Sequence, residues 1–214
     1  MQINKINHVT TLTLSALAFL ILFSYGIARP AAESLFLKAH GNEALPHVWL
    51  WLTVVMLAVA ALYNHLLCRI SLVPLFGAVA VFFALLPAFF IVLVKAEIPG
   101  SHYALYIWKD VYIIVLVEIF YTFLNSVFPI KLARWYYGFF GMIAALGGSV
   151  ASFLVGPLAK WGGTRNSLWL VTATLLLCAA LCWPLSRSAL NISPSSFKNK
   201  RTHLINACQV VRQS

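Results

Sequence analysis

Residues 71–94 read SLVPLFGAVAVFFALLPAFFIVLV, an apolar run with no charged side chain. As a helix it would extend about 36 Å, enough to cross a hydrocarbon layer about 30 Å thick. Reading outward from it, five more windows meet the same criterion: 11–28, 47–67, 104–128, 135–158 and 167–185. Backbone polar groups in hydrocarbon must be satisfied within their own segment, so such windows are read as helices. The composition agrees. Of 214 residues, 62% are apolar and 9% charged. A soluble domain usually carries about 25% charged residues, so this chain lacks the charge to cover a water-facing surface.

Punctuation separates the windows. Arg29-Pro30 is expected to end the first, because proline disfavours helix at the residue before it. Lys95 to His102, with Pro99-Gly100, divides the third from the fourth, and Trp161 to Asn166 closes the fifth. Trp49, Trp51, Trp108, Trp135, Trp161, Trp169 and Trp183 all fall near proposed ends, where an amphipathic indole is expected at the headgroups. A cleaved signal peptide over residues 1–28 is the competing reading, but that apolar stretch is already long enough to span.

The net charge is +10, from 15 Lys and Arg against 5 Asp and Glu. The cations sit in connections and in the tail, which points to membrane orientation and away from nucleic acid. One side receives Lys5, Arg69, Lys131, Arg134, Arg187, Lys198, Lys200, Arg201 and Arg212; the other receives Arg29, Lys38, Lys95, Lys160 and Arg165. The positive-inside bias then places the short N-terminal segment 1–10 and the basic polar tail 186–214 in the cytoplasm, with the chain in the inner (cytoplasmic) membrane. Cys68, Cys178, Cys182 and Cys208 show no disulfide or zinc spacing, so no metal site and no cofactor are expected. No HExxH, GxSxG or phosphate-cradling Gly-rich loop is present, and His65, His102 and His203 read as isolated, so an enzyme is not expected.

Ionisable residues inside a span are costly and mark cavities, pathways or ion pairs. In the fourth window Lys109 and Asp110 are followed by Glu118, Tyr121 and Asn125. At about 100° per residue, Asp110, Glu118, Tyr121 and Asn125 share a face about 80° wide. The alternative for Lys109-Asp110 is snorkelling to the interface. Tyr25, Arg29 and Glu33 would form one stripe were Pro30 not expected to interrupt it. Arg29, Lys109 and Asn125 are thus candidate substrate-binding residues, and Glu33, Asp110 and Glu118 candidate coupling or gating residues. Gly148, Ser152 and Gly156 form a small-xxx-small ladder suited to close helix packing.

The segments Tyr25-Gly-Ile-Ala-Arg29-Pro30-Ala-Ala-Glu33, Leu45-Pro46-His-Val-Trp49-Leu-Trp51-Leu-Thr53 and Arg134-Trp135-Tyr136-Tyr137-Gly138-Phe-Phe-Gly141, with Gly147-Gly148-Ser149 beyond, resemble the N-terminal half of the nucleotide-exchange (ATP/ADP translocase-like) family of major-facilitator-type transporters. The resemblance covers roughly residues 10–187. It implies an all-α membrane fold in which six transmembrane helices make one major-facilitator-like half, built of two inverted three-helix repeats, 11–94 and 104–185. It further implies an anionic small molecule, a nucleotide in that family, held between two halves and moved by alternating access, with a homodimer or a separate second half completing the carrier. Unlike general major-facilitator proteins, the chain has only Cys68-Arg69-Ile70-Ser71 between its second and third windows. A truncated remnant, or a non-transporting membrane scaffold whose basic tail docks partners, is the alternative expectation.

Overall fold

The computed structural model describes residues 8–69, 72–127 and 130–190. The N-terminal Lys5, Cys208 and the basic tail cluster at Lys198, Lys200 and Arg201 lie outside the described residues, as do the side chains of Cys68, Arg69, Lys131, Arg134, Trp183 and Arg187. Six α-helices are present, with no strand among the described residues: α1 His8–His40, α2 Leu45–Arg69, α3 Leu72–Lys95, α4 Ser101–Val127, α5 Ile130–Gly162 and α6 Ser167–Leu190. A 3-10 turn, Asn42–Ala44, joins α1 to α2. Each helix coincides with one apolar window of the sequence.

α5 begins five residues before its window, at Ile130, and α6 continues five residues past 185, to Leu190, into the segment expected as tail. The first window departs most from its predicted end. Pro30 lies inside α1, which continues to His40. Proline has no N–H to give the carbonyl of Gly26 and its ring crowds that group, which costs one hydrogen bond and need not end the helix. Beyond it Ala31, Ala32 and Phe36 are fully buried, so packing carries the helix onward. The true stop is Gly41, at φ 71°, whose N–H donates to the Leu37 carbonyl at 2.9 Å. Gly163, at φ 78°, ends α5 in the same way with a 3.0 Å bond to the Ala159 carbonyl. A left-handed residue that returns its N–H to the last turn is a common helix terminus, and glycine adopts it without a Cβ clash.

By length and composition, four described segments could cross a membrane: His8–His40, Asn42–Leu66, Pro74–Lys95 and Trp135–Gly162. α4, with its three charges, is not among them, and Ser167–Cys182 is apolar but shorter. α1 and α5 have 33 residues each, about 50 Å, so both extend well past a hydrocarbon layer.

Helix directions follow from which residues meet. Tyr25 meets Asp110 while His40 meets His102, so α1 and α4 are antiparallel. Gly147 approaches Phe19 and Gly26 approaches Ala151, so α1 and α5 run parallel. Trp49 meets Tyr106 and Tyr63 meets Thr122, so α2 and α4 are parallel. Phe83 meets Tyr112 while Phe90 meets Trp108, so α3 and α4 are antiparallel, and Gly77 near the start of α3 lies against Cys182 near the end of α6. The start of α1 and the end of α6 therefore lie at one end of an up-and-down bundle.

α1 sits at the centre, packed on α5, α6 and α4, while α3 packs on α6 and α4 and α2 chiefly on α4. The α1–α5 contact is the closest. A Cβ on Gly147 would stand 2.3 Å from the Phe19 carbonyl oxygen, and one on Gly26 would stand 2.6 Å from the Ala151 Cβ. Gly148 belongs to this contact, since a Cβ on Gly26 would also stand 2.9 Å from the Gly148 carbonyl oxygen, whereas a Cβ on Gly156 would meet open space and Ser152 is exposed. The close approach thus includes Gly147 and Gly148, the first member of the Gly148-Ser152-Gly156 ladder, and does not reach Gly156.

The aromatic core is centred on Tyr112, which is fully buried. Trp108 stacks on it at 4.6 Å between ring centroids and Phe90 meets the indole edge at 6.2 Å. Trp108 was expected at a headgroup boundary. Only 3% exposed, it is instead a core residue, because it lies on the α4 face turned towards α3. Trp49, Trp51, Trp135, Trp161 and Trp169 are all exposed.

Candidate functional site

Because α1 passes through Pro30 intact, Tyr25, Arg29 and Glu33 recur every four residues along one face. That face meets Lys109 and Asp110 of α4, so two groups of ionisable residues far apart in sequence become one cluster. Arg29 Nε donates to Glu33 Oε1 at 3.1 Å. Lys109 Nζ lies 3.4 Å from the same Oε1 and 2.9 Å from Asp110 Oδ2. Tyr25 donates its hydroxyl to Asp110 Oδ1 at 3.3 Å. Lys109 Nζ also stands 4.0 Å from the centre of the Tyr106 ring, which its charge favours.

The two cations have different surroundings. The Arg29 side chain is 59% exposed and that of Lys109 only 3%. A buried ammonium is tolerated when opposite charges and hydrogen bonds replace its water, and two carboxylates and a π face do so here. Lys109 is therefore an internal cross-link between α1 and α4 and does not snorkel. Arg29 opens onto a cleft between α1 and α5 with a volume of about 580 Å³. Leu22, Tyr25, Gly26, Pro30 and Glu33 line its α1 wall, and Gly148, Ser149 and Ser152 form part of its α5 wall. Small-molecule sites commonly fall in this size range. Lys109 is not among the lining residues.

The remaining polar residues of α4 lie farther along the helix. Glu118 is about 12 Å and Asn125 about 22 Å from Asp110 by helical rise. Glu118 is exposed and within electrostatic range of Tyr63 on α2. Asn125 Oδ1 accepts a hydrogen bond from the Tyr137 hydroxyl, and the Tyr137 ring meets Tyr121 edge-on at 5.3 Å. The structure thus unites Arg29, Glu33, Lys109 and Asp110, leaves Glu118 and Asn125 at separate depths, and puts Gly148 and Ser152 on the cleft wall.

Some features of this region had no sequence signal. The Tyr106 ring under Lys109 and the cleft face of Ser149 depend on helix rotation. His102 was read as isolated, but its ring centroid is 5.7 Å from that of His40, with Tyr103 4.9 Å from His40. The pairing arises because α1 extends twelve residues past the expected end, from 28 to His40. Burial, and then the neighbouring His40, hold His102 below the usual imidazole range. Cys178 and Cys182 are buried small hydrophobes, with Cys182 Sγ donating to the Cys178 carbonyl at 3.3 Å. Among the described residues no group of three or more His, Cys, Asp or Glu is arranged to hold a metal.

No family model, no curated protein and no solved structure matches the chain.

Proposed function

We propose that the six helices form one half of an alternating-access transporter in the inner membrane, and that the α1–α5 cleft holds a small solute by an anionic group at Arg29. The observation that carries this reading is the charged cluster of Arg29, Glu33, Lys109 and Asp110 beside an open cleft. Charges at membrane depth are expensive, and those kept there commonly line a pathway. Arg29 presents a planar fork of donors suited to a carboxylate or a phosphate.

The packing supports the repeat reading. Exchanging α1–α3 with α4–α6 converts the α1–α5 contact into α4–α2 and the α1–α6 contact into α4–α3, and leaves α1–α4 and α3–α6 unchanged. All these contacts are present, as two inverted three-helix repeats require. Exposed polar groups on α1, α4 and α5 need cover from hydrocarbon, so the reading includes a second half, either another copy of this chain or a separate one. In this scheme Glu33 and Asp110 are gating residues, Glu118 is a coupling residue, and both termini face the cytoplasm. The sequence resemblance makes nucleotides the first phosphate-bearing solutes to test.

Uptake by proteoliposomes of labelled ADP, lactate and leucine tests the reading. Arg29→Ala lowers uptake of the transported solute by about tenfold or more, the effect of losing a charged hydrogen bond. Gly156→Ala, in open space, leaves uptake unchanged. Absence of uptake of every solute, or full uptake by Arg29→Ala, overturns it.

A further inference from the structure

The donors and acceptors around the cleft define the charge of the solute more narrowly. Two cations and two carboxylates, Arg29, Lys109, Glu33 and Asp110, leave the cluster with no net charge. Lys109 is enclosed by its partners, so Arg29 is the cation that this cluster presents to the cleft. Its Nε makes the Glu33 contact, and the terminal guanidinium nitrogens remain to meet a carboxylate.

The rest of the polar wall accepts hydrogen bonds. Arg29 and Lys109 both contact Glu33 through Oε1, which leaves Oε2 for a new donor. Ser149 and Ser152 donate their hydroxyl hydrogens to the carbonyls of Ala145 and Gly148, each at 2.9 Å, and so present lone pairs. Tyr25 likewise directs its hydroxyl hydrogen to Asp110. Pro30 offers no N–H to Gly26, so a backbone carbonyl at the cleft wall has lost its helical donor. Such a wall repels the several negative charges of a nucleotide and favours a donor cation next to one carboxylate.

We propose that the α1–α5 cleft binds a zwitterionic, α-amino-acid-type solute, its carboxylate on the Arg29 guanidinium and its ammonium on Glu33 Oε2 and the serine hydroxyl oxygens. Leu22 and Val155, which also line the cleft, suit an aliphatic side chain. This assignment rests on the transport reading above and narrows it.

The test uses the purified full chain in lipid nanodiscs with labelled leucine, competed by alanine, valine, 4-methylpentanoate, 3-methylbutylamine and ADP. The two leucine analogues lack its ammonium and its carboxylate, respectively. Leucine is expected to bind at least about tenfold more tightly than either analogue, because each leaves one charged hydrogen-bonding group unmet. Glu33→Gln is expected to bring leucine down to the affinity of 4-methylpentanoate without weakening the latter. ADP or 4-methylpentanoate binding to the wild-type protein as tightly as leucine overturns the zwitterion assignment and leaves the transport reading standing. No binding by any of these probes overturns both. Should Glu33→Gln fail to fold, the wild-type competition decides by itself, and Ser152→Ala, at an exposed position, gives a second variant expected to weaken leucine more than 4-methylpentanoate.

Discussion

Lys109 shows how a single residue holds two helices together. Its ammonium is 2.9 Å from Asp110 and 3.4 Å from Glu33, so removing it takes the ammonium from Asp110 and leaves Glu33 with Arg29 alone. Lys109→Ala should lower stability by about 1–3 kcal/mol, less than for a fully buried pair because both carboxylates are partly exposed and Glu33 keeps Arg29. The double variant Lys109→Ala/Asp110→Asn should recover part of that loss, since one stranded charge is gone. Thermal unfolding in detergent measures both, and equal loss in the single and double variants would count against the cross-link. The residue types of this cluster were legible in the sequence, because charges in apolar windows stand out. Their assignment was less so. Arg29 and Lys109 look alike in sequence as cations in or near a span. Only the rotation of α4, which turns Lys109 towards α1 and the Tyr106 ring, separates a buried cross-link from a cation open to solute.

At the scale of elements, the contact between α1 and α5 is the most demanding. A methyl group on Gly147 would be forced 2.3 Å from the Phe19 carbonyl oxygen, a backbone atom with no rotamer to move into. Gly147→Ala should therefore push the helices apart and destabilise the protein by about 1–3 kcal/mol. Gly156→Ala should change stability by less than about 0.5 kcal/mol. A lower unfolding temperature for the first and an unchanged one for the second is the expected pattern. The small-residue composition of α5 was readable in advance, but which of its glycines touch another helix was not. Gly147 and Gly148 both meet α1, whereas Gly156, about two turns on, meets open space although it fits the same motif. Pro30 gave the opposite difficulty. It is a strong local breaker, yet the burial of Phe36 and the stop at Gly41 lie outside the window that its local effect governs. The six windows themselves were legible because apolar length is a property of each helix alone.

For the molecule as a whole, the alternating helix directions put the start of α1 and the end of α6 at one end, and the cation bias makes that end cytoplasmic in the proposed orientation. Reporter fusions before His8 and after Leu190 should both give cytoplasmic signals in intact cells, and a split result would contradict the up-and-down bundle. The same bundle constrains the order in which the protein is made. α4 carries Lys109, Asp110 and Glu118 and falls outside the helices apolar enough to cross by composition, whereas α1 lies within them. In the proposed membrane orientation, Glu33, the α1 partner of Lys109, is synthesised well before it and enters the bilayer with Arg29 as its partner. The proposed orientation would make α1 the host on which α4 is received during insertion. On that reading, loss of the Glu33 carboxylate should appear first as a chain that stalls in membrane insertion.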